Sequence, residues 1–318
     1  VTDPISDFLD AMGAAGIRPV EPIADKLASG NPVRFRADGD KPGRRNGWAW
    51  LHLDGVPAGV FRHYRLGVRT VWRAGSDPRS LSPAERRAIM AQARESEARR
   101  KAETLARQDA AAGTARDLWR DASKADPAHG YLARKRLPAF GIRQHGDALL
   151  VPMVDCGFRL WNVQRVYPDG RKLFLSGGRT DGLFWSHGAF TQDGRPSAGP
   201  LVIGEGFATM AAVHHATGHG VVAAMSARNL ETVARVMRKL FPSRTLIVAA
   251  DDDCHLSENI GLEAAQKAAE SIGALLATPL PLGLEARSAD SGTDFADIAP
   301  AEVAARFLMA ESGRAAHA

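Results

Sequence analysis

The sequence predicts an α/β protein with an open parallel sheet in its last third. Before that sheet come a small β-rich module, a helical linker and a small basic α+β subdomain. Three observations predict this. After residue 200, short apolar runs alternate with helical stretches, as strands buried on both faces of a parallel sheet do. Residues 82–112 contain nothing that breaks a helix, and they separate two groups of alternating, turn-punctuated segments. Basic residues are densest before Pro200, whereas the acidic motifs fall after it.

The chain has 318 residues, enough for two or three domains with sizeable cores. Hydrophobic content of 45% and charged content of 24% are ordinary for a globular protein, and no apolar segment approaches a membrane span. The start, Val1-Thr2-Asp3-Pro4, lacks the basic and apolar regions of a signal peptide, so the expectation is a cytoplasmic protein with no membrane partner. Cys156 and Cys254 form no CxxC pair and specify neither a disulfide nor a metal site. The formal charge of +5 is small, but its segregation suits an anionic partner along the first part and metal ions in the second.

Taken in order, residues 4–15 read as a short helix, and Pro19, Pro22 and Pro32 lead into strands. Residues 33–36, 47–53, 59–61 and 70–72 alternate as a small antiparallel sheet. Between its strands lies the basic loop 38–46, with Lys41, Arg44 and Arg45 beside Trp48 and Trp50. Cations next to aromatic rings can hold single-stranded nucleic acid, although tryptophans also pack small sheets. Ser82-Pro83-Ala84-Glu85 is a capping box opening the long polar helix, with Ile89, Met90 and Leu105 its main apolar residues. A second helical piece follows Gly113, and His129 sits as a structural residue near a turn. Residues 149–154, 160–166 and 172–175 read as consecutive strands, with Asp169-Gly170 as a hairpin turn. The third runs into Ser176-Gly177-Gly178-Arg179, a glycine pair near cations that can serve as a turn or receive phosphate. Expected domains are therefore residues 1–75, 76–136, 137–199 and 200–318.

The last segment carries the chemistry. TLIVAADDD, residues 245–253, is one buried strand broken by Asp251, Asp252 and Asp253; LVIGEG, residues 201–206, is another that ends in Glu205. Ligands of open α/β sheets bind outside the carboxyl ends of the strands. Carboxylates crowded there repel one another unless a cation intervenes, and oxygen ligands favour Mg²⁺ or Mn²⁺. Glu205, Asp251 and Asp253 are the candidate metal and catalytic residues. A zinc site from His214, His215, Cys254 and His255 has no recurrent spacing, so no zinc is expected. The segment 226–229 should be a loop facing the acidic site.

Glu205-Gly206 at a strand-to-helix turn, followed by Asp251-x-Asp253 after a later strand, resembles the Toprim signature, a Rossmann-like domain of DnaG-type primases, topoisomerases, OLD-family nucleases and RecR-type repair proteins. The longer wording, GEGFATMAAVHHATGHGVVAAMSARNL, TLIVAADDD and GTDFADI, is similar to the Toprim primases of plasmids and phages, including the conjugative TraC type. That resemblance covers residues 200–298. DGDKPGRRNGWAWLHLDGVPAG resembles the amino-terminal region of the same primases, and NVQRVYPDGRKLFLSGGR resembles the basic subdomain that precedes Toprim in bacterial primases. The chain lacks the Cys/His zinc ribbon of the cellular enzymes.

The resemblance implies a DNA primase, a nucleotidyltransferase making short RNA primers on single-stranded DNA from ribonucleoside triphosphates with Mg²⁺ or Mn²⁺. Glu205 would be a metal ligand or the base near the attacking 3′-hydroxyl, and Asp251 and Asp253 would hold metal against the triphosphate. Asp294 would be a further metal ligand. Arg165, Lys172, Arg179, Gly177 and Gly178 would bind nucleotide or template, and Lys41, Arg44, Arg45 and Trp48 would touch DNA. A separate replicative helicase or single-strand-binding protein would be the partner. The alternatives are a Toprim nuclease using the same carboxylates, and a non-catalytic single-strand-binding factor needing none of them.

Overall fold

The structure is a computed structural model that describes residues 3–75, 81–191, 194, 197–251, 259–279 and 294–312. It divides into two compact units, Val1–Ala106 and Arg107–Ala318.

In the first unit, helix α1 (Pro4–Ala14) starts at Asp3, whose carboxylate accepts the Ile5 N–H, with proline in the first turn. A short helix α2 (Ala24–Ala28) follows. Strands β1 (Val33–Phe35), β2 (Gly47–His52), β3 (Ala58–His63) and β4 (Val68–Arg73) form an antiparallel sheet in chain order. One face carries Phe35, Ala49, Leu51, Phe61 and Trp72, and it buries Phe8, Met12 and Leu27 of the two helices. The opposite face carries Trp48, Trp50 and Val60, and it is covered by Ile89 and Ala93 of helix α3 (Pro83–Asp121). The capping box forms as the sequence indicates. The Ser82 N–H donates to Glu85, the Glu85 N–H donates back to Ser82 Oγ, and Arg73 pairs with the same carboxylate.

Helix α3 runs 39 residues without a break at Gly113, which corrects the expectation of two helical pieces. Its composition hides the packing because its two ends bury different residues. Ile89 and Ala93 serve the first unit, while Ala115, Leu118 and Trp119 pack on Leu150 and Val163 in the second. No single stripe therefore runs its length. Of the main apolar residues of the helix, Ile89 is buried and Leu105 is half exposed.

The second unit contains two five-stranded sheets. The first is antiparallel in the order β5 (Ser123–Lys124), β6 (Arg143–His145), β7 (Ala148–Val154), β8 (Leu160–Val166), β9 (Lys172–Phe174), with helix α4 (Gly130–Lys135) between β5 and β6 in the chain. His129 caps α4: its Nδ1 accepts the Tyr131 N–H and its Nε2 lies 2.9 Å from the Asp147 carbonyl. The second sheet joins β10 (Trp185–His187), β11 (Leu201–Gly204), β12 (Gly220–Ala223), β13 (Leu246–Ala249) and β14 (Leu275–Ala277) in the order β10-β12-β11-β13-β14. All its pairs are parallel except β10 with β12. Helices α5 (Phe207–Thr217) and α8 (Pro300–Glu311) cover the face carrying Val202, Val221 and Ile247. Helices α6 (Ala227–Leu240) and α7 (Ile260–Ile272) cover the face carrying Ile203, Val222 and Val248. Apolar side chains on both faces explain the unalternating runs in the sequence.

Residues 227–229 are the first turn of α6 rather than a loop. Asn229 is buried there, donating to the Leu183 and Ala224 carbonyls and accepting the Gly182 N–H. It ties the entry to β10 onto the end of β12.

Candidate functional site

The site forms where β11 and β13 end side by side. Their parallel register pairs Ile203 with Val248, so Glu205 and Asp251 emerge at neighbouring carboxyl ends of the sheet. Both are half-buried. A Cβ at Gly204 would press on the end of the Met210 side chain, so the glycine lets α5 pack closely directly after the turn. Gly206 is the N-cap of α5, and the Glu205 carbonyl accepts the Met225 N–H from the end of the β12 strand. One turn into α5, the buried Thr209 donates its hydroxyl to Asp251 Oδ1 at 3.1 Å. This holds one carboxylate oxygen by a neutral donor. Asp253 lies outside the described residues, as do Asp252, Cys254 and His255.

Two carboxylates at one sheet edge are a hard, oxygen-only donor pair, which suits Mg²⁺ or Mn²⁺. Among the described residues there is no group of three or more His, Cys, Asp or Glu positioned as a metal site.

Asp294 sits in a second cluster. Its carboxylate is 3.6 Å from Lys135 Nζ at the end of α4, and Lys135 also pairs with Asp297. Burial pushes the Asp294 carboxyl up; Lys135 and, more weakly, Lys172 oppose this without cancelling it. Burial likewise disfavours the Lys135 charge, but the two aspartates outweigh it and raise its pKa. The cluster joins α4, β9 and the segment before α8 by charge, and sequence spacing gave no sign of Lys135.

The three cations expected to bind nucleotide or template occupy different places. Strand register sets Lys172 opposite Val166 and Leu149, on the sheet face that shares its core with α5. Arg165 is opposite Leu150 and Leu173, on the other face, and its Nε is buried with no hydrogen-bond partner among the described residues. Arg179 lies over the Trp161 ring, with its Cζ 5.2 Å from the centroid, and donates to the Asp181 carbonyl. Arg159 approaches the same ring at 4.0 Å, while the indole N–H donates to Asp155 at 2.6 Å.

The glycine pair has a steric cause. Gly177 has φ +73°, and a Cβ at Gly178 would collide with Asn162. The Gly178 N–H donates to the Leu175 carbonyl, and the buried Asn162 side chain binds the Leu175 N–H and the Arg179 carbonyl.

In the first unit, Lys41, Arg44 and Arg45 are exposed. Trp48 is buried beneath the Arg62 guanidinium, 4.5 Å from the ring centroid, and so offers no open face to a base. His214 and His215, weighed above for zinc, are placed differently: His214 lies against His187, with ring centroids 4.6 Å apart, and its Nδ1 is 2.7 Å from the His219 carbonyl. Burial, then the neighbouring His214, lowers the pKa of His187.

Residues 200–305 match the Toprim domain family. The chain is similar to DNA primase TraC of Escherichia coli, 33% identical over 287 residues and 87% of this chain. A second Escherichia coli DNA primase TraC is 32% identical over 290 residues. The chain spans 26% and 20% of the lengths of these relatives. Among solved structures it is similar to the primase fragment of the bacteriophage T7 primase-helicase protein, 13% identical, with TM-score 0.41 over 61% of this chain and 77% of that one.

Proposed function

We propose, from the Toprim domain at residues 200–305 and the similarity to the TraC primases, that this chain synthesises short RNA primers on single-stranded DNA. The 3′-hydroxyl of one nucleotide attacks the α-phosphorus of an incoming ribonucleoside triphosphate, a phosphodiester forms, and pyrophosphate leaves. The observation that carries this reading is the placement of Glu205 and Asp251 at the ends of adjacent parallel strands.

Mg²⁺ or Mn²⁺ bound by Glu205, Asp251 and Asp253 would neutralise the triphosphate and stabilise the entering and leaving oxygens. Thr209 holds Asp251 in one orientation for that task. Glu205 is either a ligand or the group that takes the hydroxyl proton. Lys172, on the face shared with the Toprim half, is assigned to the triphosphate, and Arg165 and Arg179 to the template backbone, where phosphate contacts dominate affinity. Lys41, Arg44 and Arg45 are assigned to the template further from the chemistry. The nucleotide substrates and Mg²⁺ dependence suit a cytoplasmic enzyme working beside a separate helicase or single-strand-binding protein. No described helix is long and apolar enough to cross a membrane.

One assay tests the reading: labelled ribonucleotides, single-stranded DNA and Mg²⁺, scored for both extension and cleavage. Primers of a few nucleotides are expected. Template cleavage without extension would assign the same carboxylates to a nuclease.

A further inference from the structure

The first unit holds a cavity of about 340 Å³, lined by Gly39, Lys41, Arg44, Asn46 and Arg65. It lies in the β1–β2 loop, beside the residues that follow β3. Among the described residues, three of the five that line it are cations and none is a carboxylate.

The loop is held in shape from beneath. The Asp40 side chain is buried, and its carboxylate accepts the Ala37 N–H at 3.0 Å and the Asn46 side-chain N–H at 2.8 Å. His63 Nε2 lies 3.3 Å from it, while His63 Nδ1 accepts the Leu66 N–H, which places the ring proton on the Asp40 side. The Asn46 carbonyl accepts the Tyr64 N–H and closes the loop onto the end of β3. Gly39 and Gly43, at φ +76° and +75°, supply the left-handed turns this path needs. Arg65 is anchored at its base, with Nη2 donating to the Gly39 carbonyl at 3.1 Å and Nε 3.5 Å from Asp40, yet its side chain is 53% exposed. Lys41 and Arg44 are exposed.

We propose that this pocket is a preformed site for phosphate groups, with Lys41, Arg44 and Arg65 on the phosphate oxygens. Three cations line the pocket, and the Asp40 carboxylate against Arg65 has its side chain buried, so the positive charge that faces the pocket matches consecutive phosphodiesters or a triphosphate chain. Guanidinium forks suit such oxygens, and the anchored Arg65 gives up little side-chain freedom on binding. Beside the pocket, Tyr64 carries Arg34 and Arg62 over its ring at 4.8 and 4.6 Å. Arg34 and Arg62, both opposite Trp48 in the register, continue the cationic residues across the sheet, with Glu97 4.0 Å from Arg62. The site divides the basic loop differently from the sequence: Lys41 and Arg44 line it, Arg45 and Trp48 do not, and Arg65 joins from the turn between β3 and β4. The inference rests on the primase reading only for the source of the phosphate.

The test is equilibrium binding of fluorescein-labelled oligothymidylate to the full chain by anisotropy across a salt series, without nucleotides or metal. Lys41→Glu with Arg44→Glu should weaken binding about tenfold or more and lower the slope of log K against log salt by about 1.4, two contacts at about 0.7 each. Arg65→Gln should weaken it about tenfold, and circular dichroism with urea unfolding checks that its loop survives. Arg87→Glu with Arg99→Glu, the same charge change on exposed α3, is the control. Displacement of the oligonucleotide by inorganic tripolyphosphate in the parent, lost in Lys41→Glu/Arg44→Glu, would assign the pocket to a triphosphate chain as well as a strand. Unchanged affinity and slope in the loop double variant, or an equal loss in the control, would overturn the site. Because binding is read without synthesis, primer formation by that variant at parental affinity sinks the pocket alone, and binding without primers sinks the polymerase reading alone.

Discussion

At the scale of single residues, the proposed chemistry depends on charge at two strand ends and on one hydroxyl beside them. Glu205→Gln and Asp251→Asn keep shape and remove charge. Each should abolish primer synthesis while leaving single-strand affinity within about twofold, since cationic contacts to phosphate set that affinity. Gel analysis of extension with parallel anisotropy checks this, and full primer yield from Asp251→Asn would remove that residue from the site. Thr209→Val should lower kcat about tenfold with KM for nucleotide little changed, because it removes a hydrogen bond to a carboxylate worth about 1.5 kcal/mol and nothing that touches nucleotide. Thr209→Ser should restore most of it. Glu205 and Asp251 were legible because each ends an apolar run abruptly. Thr209 was not, because a threonine in the first turn of a helix reads as bonding its own backbone, and no spacing rule connects it to a carboxylate 42 residues later.

At the scale of elements, two charged clusters hold loops in place. Burial alone would raise the Asp40 carboxyl, but the Asn46 and Ala37 donors and the facing His63 outweigh it and hold it at about 2. A carboxyl lowered in the folded state stabilises above its ordinary value of 3.8, and that contribution disappears as pH falls toward 2. Asp40→Asn should be less stable than the parent at pH 6, with the difference shrinking between pH 4 and 2; tryptophan fluorescence in urea, followed across that range, measures it. In the second unit, Lys135→Met strands two half-buried carboxylates and should cost about 2 kcal/mol in urea unfolding. Adding Asp294→Asn should recover part of the loss. Most strands were readable from alternation or unbroken apolar runs. Strand β10 was not: Trp185-Ser186-His187 is three residues long, stands between glycines, and pairs antiparallel at the edge of an otherwise parallel sheet. The turn of α6 over residues 227–229 was hidden because Ser, Arg and Asn read as loop, whereas Asn229 is held inside by three hydrogen bonds to backbone.

At the scale of the whole molecule, the chain contains two units, each with its own buried core. A fragment covering residues 107–318 keeps Glu205, Asp251, Asp253 and Lys172, so it should fold and extend a supplied primer while binding single strands more weakly than the full chain. Complete loss of extension by the folded fragment would place part of the chemistry in the first unit. Helix α3 holds a further consequence. Between Ala93 and Ala111 none of its side chains is buried, so residues 94–110 expose about 25 Å of helix with its apolar anchors only at the two ends. An isolated helix of that length is marginal in water, which explains its dominance by Ala, Arg and Glu. Its central amides should exchange with deuterium far sooner than those of β11 or β13, through local opening alone. Heat should then melt the two ends of one continuous helix in separate calorimetric events, each with the core it covers.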